Sequence, residues 1–381
     1  MKNIVKKFSL LLLATFTIFW SCDDFIEKEP YFATPIDNAV GSYENLQIAM
    51  TAVYNHLTDL DYLGKRFILS ADIRGDDSNL NVENSNRMTS QYDYSMTSGS
   101  NDARNAWGIM YRVVNQLNFI ITNIDLVEDG TQEERDHLKG EALALRAMVH
   151  FDIVRLFAQT YSLPGSASDV VVGTPDGNGG HGGVPVITSV TDDPFTFFPS
   201  RSTVKEVYDQ VLSDLNASIP LMGENGPNYM GANAATAIRA RVKLYKQDWA
   251  GAAEDATAVI NSGNYSLLEP GDYIGSWAKE NTVESIFELA LNKVTYLGTT
   301  ALGYMYDTRG YGDINVSNAL LALYEAEDIR ATKAEGEPDN GPPTTPVMFY
   351  ETNGFTYTNK FPGRDGTAGL DNIRLLRLSE M

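Results

Sequence analysis

The chain has 381 residues, of which 43% are hydrophobic and 21% are charged, a composition typical of a folded protein rather than a disordered or fibrous one. Its 50 acidic and 29 basic residues give a formal net charge of −21, which disfavours nucleic-acid binding through a basic surface. One cysteine excludes an intramolecular disulfide framework, and four histidines leave little material for a histidine-rich metal centre. We therefore expect no nucleic-acid partner, no metal ion and no cofactor.

The start of the chain has the pattern of a secretory signal peptide followed by a lipidation site. Lys2, Lys6 and Lys7 precede an apolar run over residues 8–20, which is shorter than the about 20 residues that a transmembrane helix needs. The only cysteine, Cys22, follows this run directly. We predict cleavage before Cys22 and attachment of its lipidated thiol to a membrane by acyl chains. The alternative is a soluble secreted protein with an incidental cysteine.

Hydrophobic residues recur every three or four positions in six segments, which predicts amphipathic helices. These segments cover residues 43–57, 107–124, 138–156, 203–220, 232–246 and 249–260. Thr131 with Glu134, and Thr203 with Glu206, fit the capping box that marks a helix N-terminus. The last two segments are rich in alanine and separated by a very short connection, which predicts a closely packed antiparallel helix pair.

Long irregular stretches separate the predicted helices. They cover residues 75–101, 164–199 and 334–369, and residues 283–291 are predicted to form a short strand or buried segment. Loops of this length are uncommon in compact domains and are often functional. The expected fold class is mostly α, a tetratricopeptide-like scaffold of helical pairs with long ligand-binding loops.

No residue pattern predicts a catalytic centre. Clustered carboxylates could in principle hydrolyse a glycoside, but such clusters are expected by chance among 50 acidic residues. The clusters are Asp76–Asp77, Asp192–Asp193, and Glu325 with Glu327 and Asp328. No two histidines have metal-ligand spacing on a helix, and no serine lies in a nucleophile elbow. The glycine-rich run at 173–183 lacks the end of a phosphate-binding loop and the bidentate acid of a calcium loop.

Aromatic side chains outside the helical stripes are the best candidates for ligand contacts. A tyrosine or tryptophan ring can cover a sugar ring with its flat apolar face, and its polar tip tolerates water. Carboxylates and amides in the first long loop could bind hydroxyl groups, although they could equally form turns. Loop position and chemistry together select Asp76, Asn79, Tyr92, Tyr94, Trp277, Tyr296, Tyr304, Tyr306 and Tyr311 as candidate ligand-binding residues.

A series of short motifs, in the same order along the chain, resembles the SusD/RagB family of outer-membrane lipoproteins. The motifs lie at 21–27, at Trp107 with Tyr111 and Asn115, and at 140–142, 145–147, 151–157, 183–186, 201–208, 248–250, 284–288 and 328–330. The resemblance implies a non-catalytic protein at the cell surface that captures glycans and delivers them to a SusC-like TonB-dependent outer-membrane transporter. Some members of the family take peptides instead.

The resemblance also divides the chain. It implies a lipoprotein signal peptide at 1–21, an N-terminal helical region at 22–220 and a C-terminal region at 221–381, packed as one body. Residues 373–381 are similar to the start of the family's C-terminal helical segment, so we expect a truncated C-terminal region. Two other functions stay open: a peptide-binding or protein-adaptor lipoprotein of the same fold, and a surface glycoside hydrolase.

Overall fold

The computed structural model describes residues 41–162, 182–190, 196–335 and 346–381. The signal peptide, Cys22, His181, Asp192–Asp193 and most of the glycine-rich run lie outside these residues. The described helices are α1 (Tyr43–Leu57), α2 (Arg66–Asp72), α3 (Thr89–Tyr92), α4 (Asn101–Asn123), α5 (Gln132–Phe157), α6 (Val204–Ser218), α7 (Ala232–Tyr245), α8 (Trp249–Asn261), α9 (Pro270–Ser276), α10 (Leu302–Tyr306) and α11 (Asn318–Leu321).

The described strands are short. They are β1 (Ser78–Leu80), β2 (Ser285–Leu289), β3 (Ile314–Val316), β4 (Lys333–Glu335), β5 (Phe349–Thr352), β6 (Phe355–Thr358) and β7 (Ile373–Arg377). β1 pairs with β3 and β2 pairs with β7, both antiparallel, while β5 lies between a parallel β4 and an antiparallel β6. The mostly helical fold class predicted from the sequence is therefore confirmed.

Helix α5 is the centre of the helical body. It begins with the predicted capping box, because the Thr131 hydroxyl accepts a hydrogen bond from the Glu134 amide and the Glu134 carboxylate accepts one from the Thr131 amide. From Gly140 to Val154 every residue is buried, as expected for a helix that has neighbours all round. A side chain at Gly140 would come within 2.9 Å of the Ser218 carbonyl oxygen, so the close approach of the segment after α6 requires glycine.

Arg146 and Asp214 form a buried ion pair in the helical body. The Arg146 guanidinium in α5 binds both carboxylate oxygens of Asp214 in α6, at 2.7 and 2.8 Å, and the two side chains are 6% and 4% exposed. Its remaining nitrogen donates to the Asn118 side-chain oxygen at 2.8 Å and to the Thr188 carbonyl at 3.2 Å. This network joins α4, α5 and α6 through one side chain.

The predicted helix pair is formed by α7 and α8, which pack together across a connection of three residues. Asp255 in α8 is buried and accepts hydrogen bonds from Arg239 at 2.7 and 2.9 Å. Lys243 lies 2.8 Å from the same carboxylate. The pair is therefore fixed by charge as well as by its small alanine side chains.

The C-terminal residues differ from the sequence expectation. Residues 373–381 resembled the start of a helical segment, but they form β7 and then a 3-10 turn (Leu378–Glu380). They are extended because β2 supplies hydrogen-bonding partners along β7, and because Ile373 and Leu376 pack into the main core. All five residues of β2 are buried, which confirms the predicted buried strand within 283–291.

One large core cluster runs through the molecule. It contains side chains from both predicted regions, including Leu46, Leu117, Phe151, Phe287 and Leu376. The division at residue 220 stays a prediction. Among the described residues, no helix is both long and apolar enough to span a membrane.

Candidate functional site

A cavity of about 460 Å³ lies where α2, α9 and α10 meet strands from the second half of the chain. We call it the Trp277 cavity, after the tryptophan that follows α9. Its volume is in the range of small-molecule binding sites. Six basic and three acidic side chains contribute to its lining together with aromatic and apolar ones. The basic residues are Lys279, Arg330, Lys360, Arg364, Arg374 and Arg377, and the acidic ones are Asp72, Asp77 and Asp371.

Arg374 holds the loop that carries Trp277. It lies on β7, where the strand register places it opposite Glu288 of β2. One of its terminal nitrogens, Nη2, donates to the carbonyl oxygens of Ser276 at 2.5 Å and Lys279 at 2.7 Å, on either side of Trp277. The end of α9 is thereby tied to the edge of the β2–β7 sheet.

The indole of Trp277 is surrounded by positive charge. The centroid of its ring lies 4.7 Å from the Arg374 guanidinium carbon, 5.2 Å from that of Arg377 and 5.5 Å from the Lys360 ammonium nitrogen. Contacts of this kind are attractive through the ring quadrupole, but the three cations repel one another.

Other aromatic rings complete the walls. Tyr273 meets Trp277 edge to face, with ring centroids 6.2 Å apart at 89°. The Arg330 guanidinium carbon lies 5.5 Å from the ring centroid of Tyr324. The hydroxyl of Tyr306 donates to a carboxylate oxygen of Asp72 at 2.5 Å. Flat apolar faces therefore lie beside hydrogen-bonding groups in one cavity.

Several polar atoms of the lining have no partner among the described residues. Trp277 Nε1 and Arg374 Nη1 are buried and make no hydrogen bond. The Arg374 side chain as a whole is 9% exposed. Asp371 Oδ2 is unpartnered in the same way. Buried polar groups are usually hydrogen-bonded, so a cluster of exceptions indicates a place where another molecule supplies the partner.

Burial alters the ionisation of this lining. It raises the pKa of the Asp371 carboxyl to about 7 and that of Asp72 above its usual value. Lys360 is an exposed residue by its accessible surface, but protein atoms surround its ammonium group closely enough to desolvate it in part. Desolvation, followed by repulsion from Arg377, lowers the pKa of Lys360. Near neutral pH, Asp371 therefore carries only part of its negative charge, which weakens the acidic share of the lining.

The structure brings two of the predicted ligand residues into this cavity, Trp277 and Tyr306. Asp76 precedes a lining residue, Asp77, and its carbonyl oxygen accepts a hydrogen bond from Ser317. Asn79 lies in β1 opposite Asn315, which also lines the cavity.

The other predicted residues lie outside the lining. Tyr304 and Tyr311 meet edge to face at 5.0 Å, and Arg87 lies over the Tyr311 ring. Tyr92 packs against the small core cluster beside α10, and Tyr296 packs against the main one. Tyr94 is 72% exposed and donates to the Arg74 carbonyl. The ligand role of all these residues stays a prediction.

Sequence reasoning missed the cations of the cavity. Arg374 and Arg377 lie in a segment that was compared with a helix, and Lys360 lies in a long loop with no motif. These three residues are related only by their positions in the folded structure, where they surround one indole ring. Nothing in the linear pattern marks them.

A second cavity, of about 370 Å³, lies in the helical body between α1 and α5. The buried Glu141 lines it and accepts a hydrogen bond from the Tyr54 hydroxyl at 2.5 Å. Burial raises the pKa of Glu141 to about 7. In the part of the chain that the structure describes, no group of three or more histidine, cysteine, aspartate or glutamate residues is arranged to hold a metal ion.

Comparison with known proteins gives a family match for the first part of the chain. A SusD-like family model, described as starch-binding associating with outer membrane, matches residues 24–244. The SusD-like protein P38 of Formosa agariphila is 25% identical over 272 residues, which cover 70% of this chain and 47% of that protein. The chain thus spans about half the length of this curated relative.

Solved structures give the same result for the fold. A SusD superfamily protein from Bacteroides thetaiotaomicron matches with a TM-score of 0.75 and 27% identity, over 89% of this chain and 74% of that one. A SusD superfamily protein from Bacteroides vulgatus matches with a TM-score of 0.76 and 26% identity, over 89% and 73%.

Proposed function

The chain belongs to the SusD-like family, and from this premise we propose that it captures glycans at the cell surface without chemical turnover. The family match over residues 24–244 is the observation that carries the proposal, because the family is described as starch-binding and associating with the outer membrane. In this proposal Cys22 is the lipidated anchor, and a SusC-like TonB-dependent transporter receives the glycan.

The Trp277 cavity is the proposed capture site. Trp277 and Tyr306 line the cavity, and hydrogen-bonding side chains lie beside them. Trp277 is the partly exposed ring of the two, whereas Tyr306 is buried and stacked on Phe361. Sugar-binding sites need this combination, because pyranose rings have apolar faces and polar edges. Nothing in the lining requires a reaction, so reversible binding is the simplest use of the cavity.

A glycan screen with product analysis tests the proposal. The purified full chain, kept in detergent, is applied to an array of neutral and acidic polysaccharides, and binding is quantified by calorimetry. We expect saturable binding with no new reducing ends. New reducing ends would favour the glycoside hydrolase, and no glycan binding by folded protein would favour a peptide ligand or a protein adaptor.

Two tryptophan variants locate the site. Trp277→Ala should abolish glycan binding, because the ring surface against which a sugar stacks is lost with the indole. Trp249→Ala is the matched control, since Trp249 is 62% exposed at the start of α8 and does not line the cavity. Unchanged binding by folded Trp277→Ala would exclude the Trp277 cavity as the site, whereas equal loss in both variants would indicate a non-specific effect. Recovery of a TonB-dependent barrel with the protein from native outer membranes would test the transporter partner.

A further inference from the structure

We propose that the Trp277 cavity selects an acidic oligosaccharide, whose carboxylate or sulfate group binds at Arg374 and Lys360 while a sugar ring lies against Trp277. This inference rests on the proposed glycan function and names its substrate class. It comes from the charges and unpartnered atoms of the cavity.

The net charge of the side chains that line the cavity is positive, whereas that of the whole chain is negative. The chain carries a net charge of −21, yet basic side chains outnumber acidic ones by six to three in the lining. A cleft of one sign, bounded by low-dielectric walls, concentrates ligands of the other sign. An acidic protein with a basic cavity therefore favours anions at this one place.

Three of the six basic side chains in the lining are paired with carboxylates that do not line the cavity. Arg330 is paired with Asp328 at 2.6 Å and Arg377 with Glu284 at 3.3 Å, and Arg364 contacts Glu280. These partners reduce, without removing, the positive potential that the three arginines present to a ligand. The inference therefore does not depend on the total count of cations.

Arg374 and Lys360 are less completely neutralised. The nearest carboxylate to Arg374 is Glu288, at 3.9 Å from its Nε, and Arg374 Nη1 has no hydrogen-bond partner. No hydrogen bond or ion pair of the Lys360 ammonium is found within the described ranges. Repulsion from Arg377 acts on Lys360 as well, and exceeds the attraction of either Asp72 or Asp77. An incoming anion would relieve this repulsion, whereas a neutral hydroxyl would not.

Trp277 supplies the second half of the site. Its Nε1 is a buried donor without a partner, and leaving such a donor unpaired is costly. A sugar hydroxyl or an anionic oxygen could accept this hydrogen bond. The Arg374 guanidinium carbon and the Lys360 ammonium nitrogen lie 4.7 and 5.5 Å from the indole centroid, distances that one acidic monosaccharide unit can bridge.

Matched ligand pairs test the inference with the full chain in detergent. One pair is an oligogalacturonate and its methyl ester, and the other is a sulfated carrageenan oligosaccharide and its desulfated form. Calorimetry should give about tenfold tighter binding for the charged member of at least one pair, since a hydrogen bond to a charged group exceeds a neutral one by this order. Raising NaCl from about 0.05 M to about 0.5 M should reduce that preference. The pair that responds identifies carboxylate or sulfate.

Three variants assign the preference to the cavity. Lys360→Met should reduce affinity for the charged member about tenfold and leave the neutral member nearly unchanged. Arg374→Gln should act in the same direction. Lys139→Gln is the control, because Lys139 lies on α5, pairs with Asp125 and does not line the cavity. Lys360→Met keeps the test decisive if Arg374→Gln fails to fold.

The outcomes separate this inference from the proposed function. Equal or tighter binding of the neutral members would overturn the acidic preference and leave glycan capture intact. Charge-dependent binding that Lys360→Met does not alter would also overturn it, because the anion would then bind elsewhere. Failure of every glycan to bind folded protein would overturn both proposals.

Discussion

Two arginines in different regions of the molecule are buried to a similar extent, Arg146 in the helical body and Arg374 at the Trp277 cavity, with side chains 6% and 9% exposed. Each terminal nitrogen of Arg146, and its Nε, has a partner, including both oxygens of Asp214. Arg374 leaves Nη1 unpartnered, and its nearest carboxylate lies 3.9 Å away. All guanidinium nitrogens of Arg146 are hydrogen-bonded within the protein, whereas Arg374 keeps one nitrogen that could donate to a bound ligand.

We expect Arg146 to contribute mainly to the stability of the fold and Arg374 mainly to ligand binding. A buried ion pair is strongly destabilised when one partner is removed, because the other charge stays uncompensated. A buried donor with no partner already carries its desolvation cost in the free protein. Variants of the two arginines should therefore have different effects on unfolding and on ligand affinity.

The largest effect is expected for Arg146→Met. This change leaves the buried Asp214 carboxylate with one side-chain donor, the Gln210 amide at 2.9 Å. The free energy of unfolding should fall by about 3–5 kcal/mol. Urea unfolding followed by circular dichroism measures the change.

Arg374→Gln is the counterpart. Glu288 would keep its hydrogen bonds from the Asn281 amide, the Ser285 hydroxyl and the Asn372 side chain, at 2.7, 3.0 and 2.8 Å. The expected loss is about 1–2 kcal/mol. A loss equal to that of Arg146→Met would remove the distinction between the two regions.

Glu141→Gln tests a buried acid of the helical body. Burial raises the folded-state pKa of Glu141 from 4.5 to about 7, so its stabilising contribution is complete below about pH 4.5 and is lost as the pH rises through 7. The glutamine variant lacks this loss. Its free energy of unfolding should exceed that of the parent by up to about 3 kcal/mol above pH 8, and by little at pH 5. A pH-independent difference between the two proteins would contradict this account.

Thr203→Ala should have a smaller effect. The buried Thr203 hydroxyl accepts from the Glu206 amide at 3.0 Å, and the Glu206 carboxylate accepts from the Thr203 amide at 2.7 Å. Loss of this cap should cost about 1–2 kcal/mol in thermal or urea unfolding. Thr203→Ser keeps the hydroxyl and is the matched control, so a similar loss in both variants would point to the methyl group.

The smallest expected effect concerns Asp371 and the cavity. Its carboxyl has a pKa near 7 and interacts electrostatically with Asp307, Arg309, Arg364 and Arg374. As the pH rises from about 6 to about 8, the new negative charge should weaken binding of an acidic oligosaccharide about threefold. Asp371→Asn should flatten this pH dependence, and calorimetry at several pH values measures it. An unchanged slope in the variant would assign the titration to another group.

Local features could be predicted from the sequence. Helix α1 has the predicted limits, and both capping boxes form, because these signals involve residues three or four apart. The sequence shows the motif around Tyr111, but only the structure shows that the Tyr111 hydroxyl donates to the Pro185 carbonyl at 2.8 Å. Contacts across long separations were not legible from spacing alone.

The Trp277 cavity shows most clearly which contacts could not be predicted from the sequence. Trp277 and Tyr306 were selected by side-chain chemistry, and both line the cavity. Arg374 was not selected, because it meets the Ser276 carbonyl across 98 residues of sequence through the pairing of β7 with β2. The predicted Tyr94 is instead exposed, with its hydroxyl bound to a backbone carbonyl. Side-chain type narrows the candidates, but strand pairing decides which of them meet.

A crystal structure of the protein with a bound acidic oligosaccharide, either oligogalacturonate or sulfated carrageenan oligosaccharide, tests the central claim most directly. We predict a sugar ring against Trp277 and an anionic oxygen within hydrogen-bond distance of Arg374 Nη1 or the Lys360 ammonium. A ligand bound outside the Trp277 cavity, or one whose anionic group faces away from both cations, would contradict it.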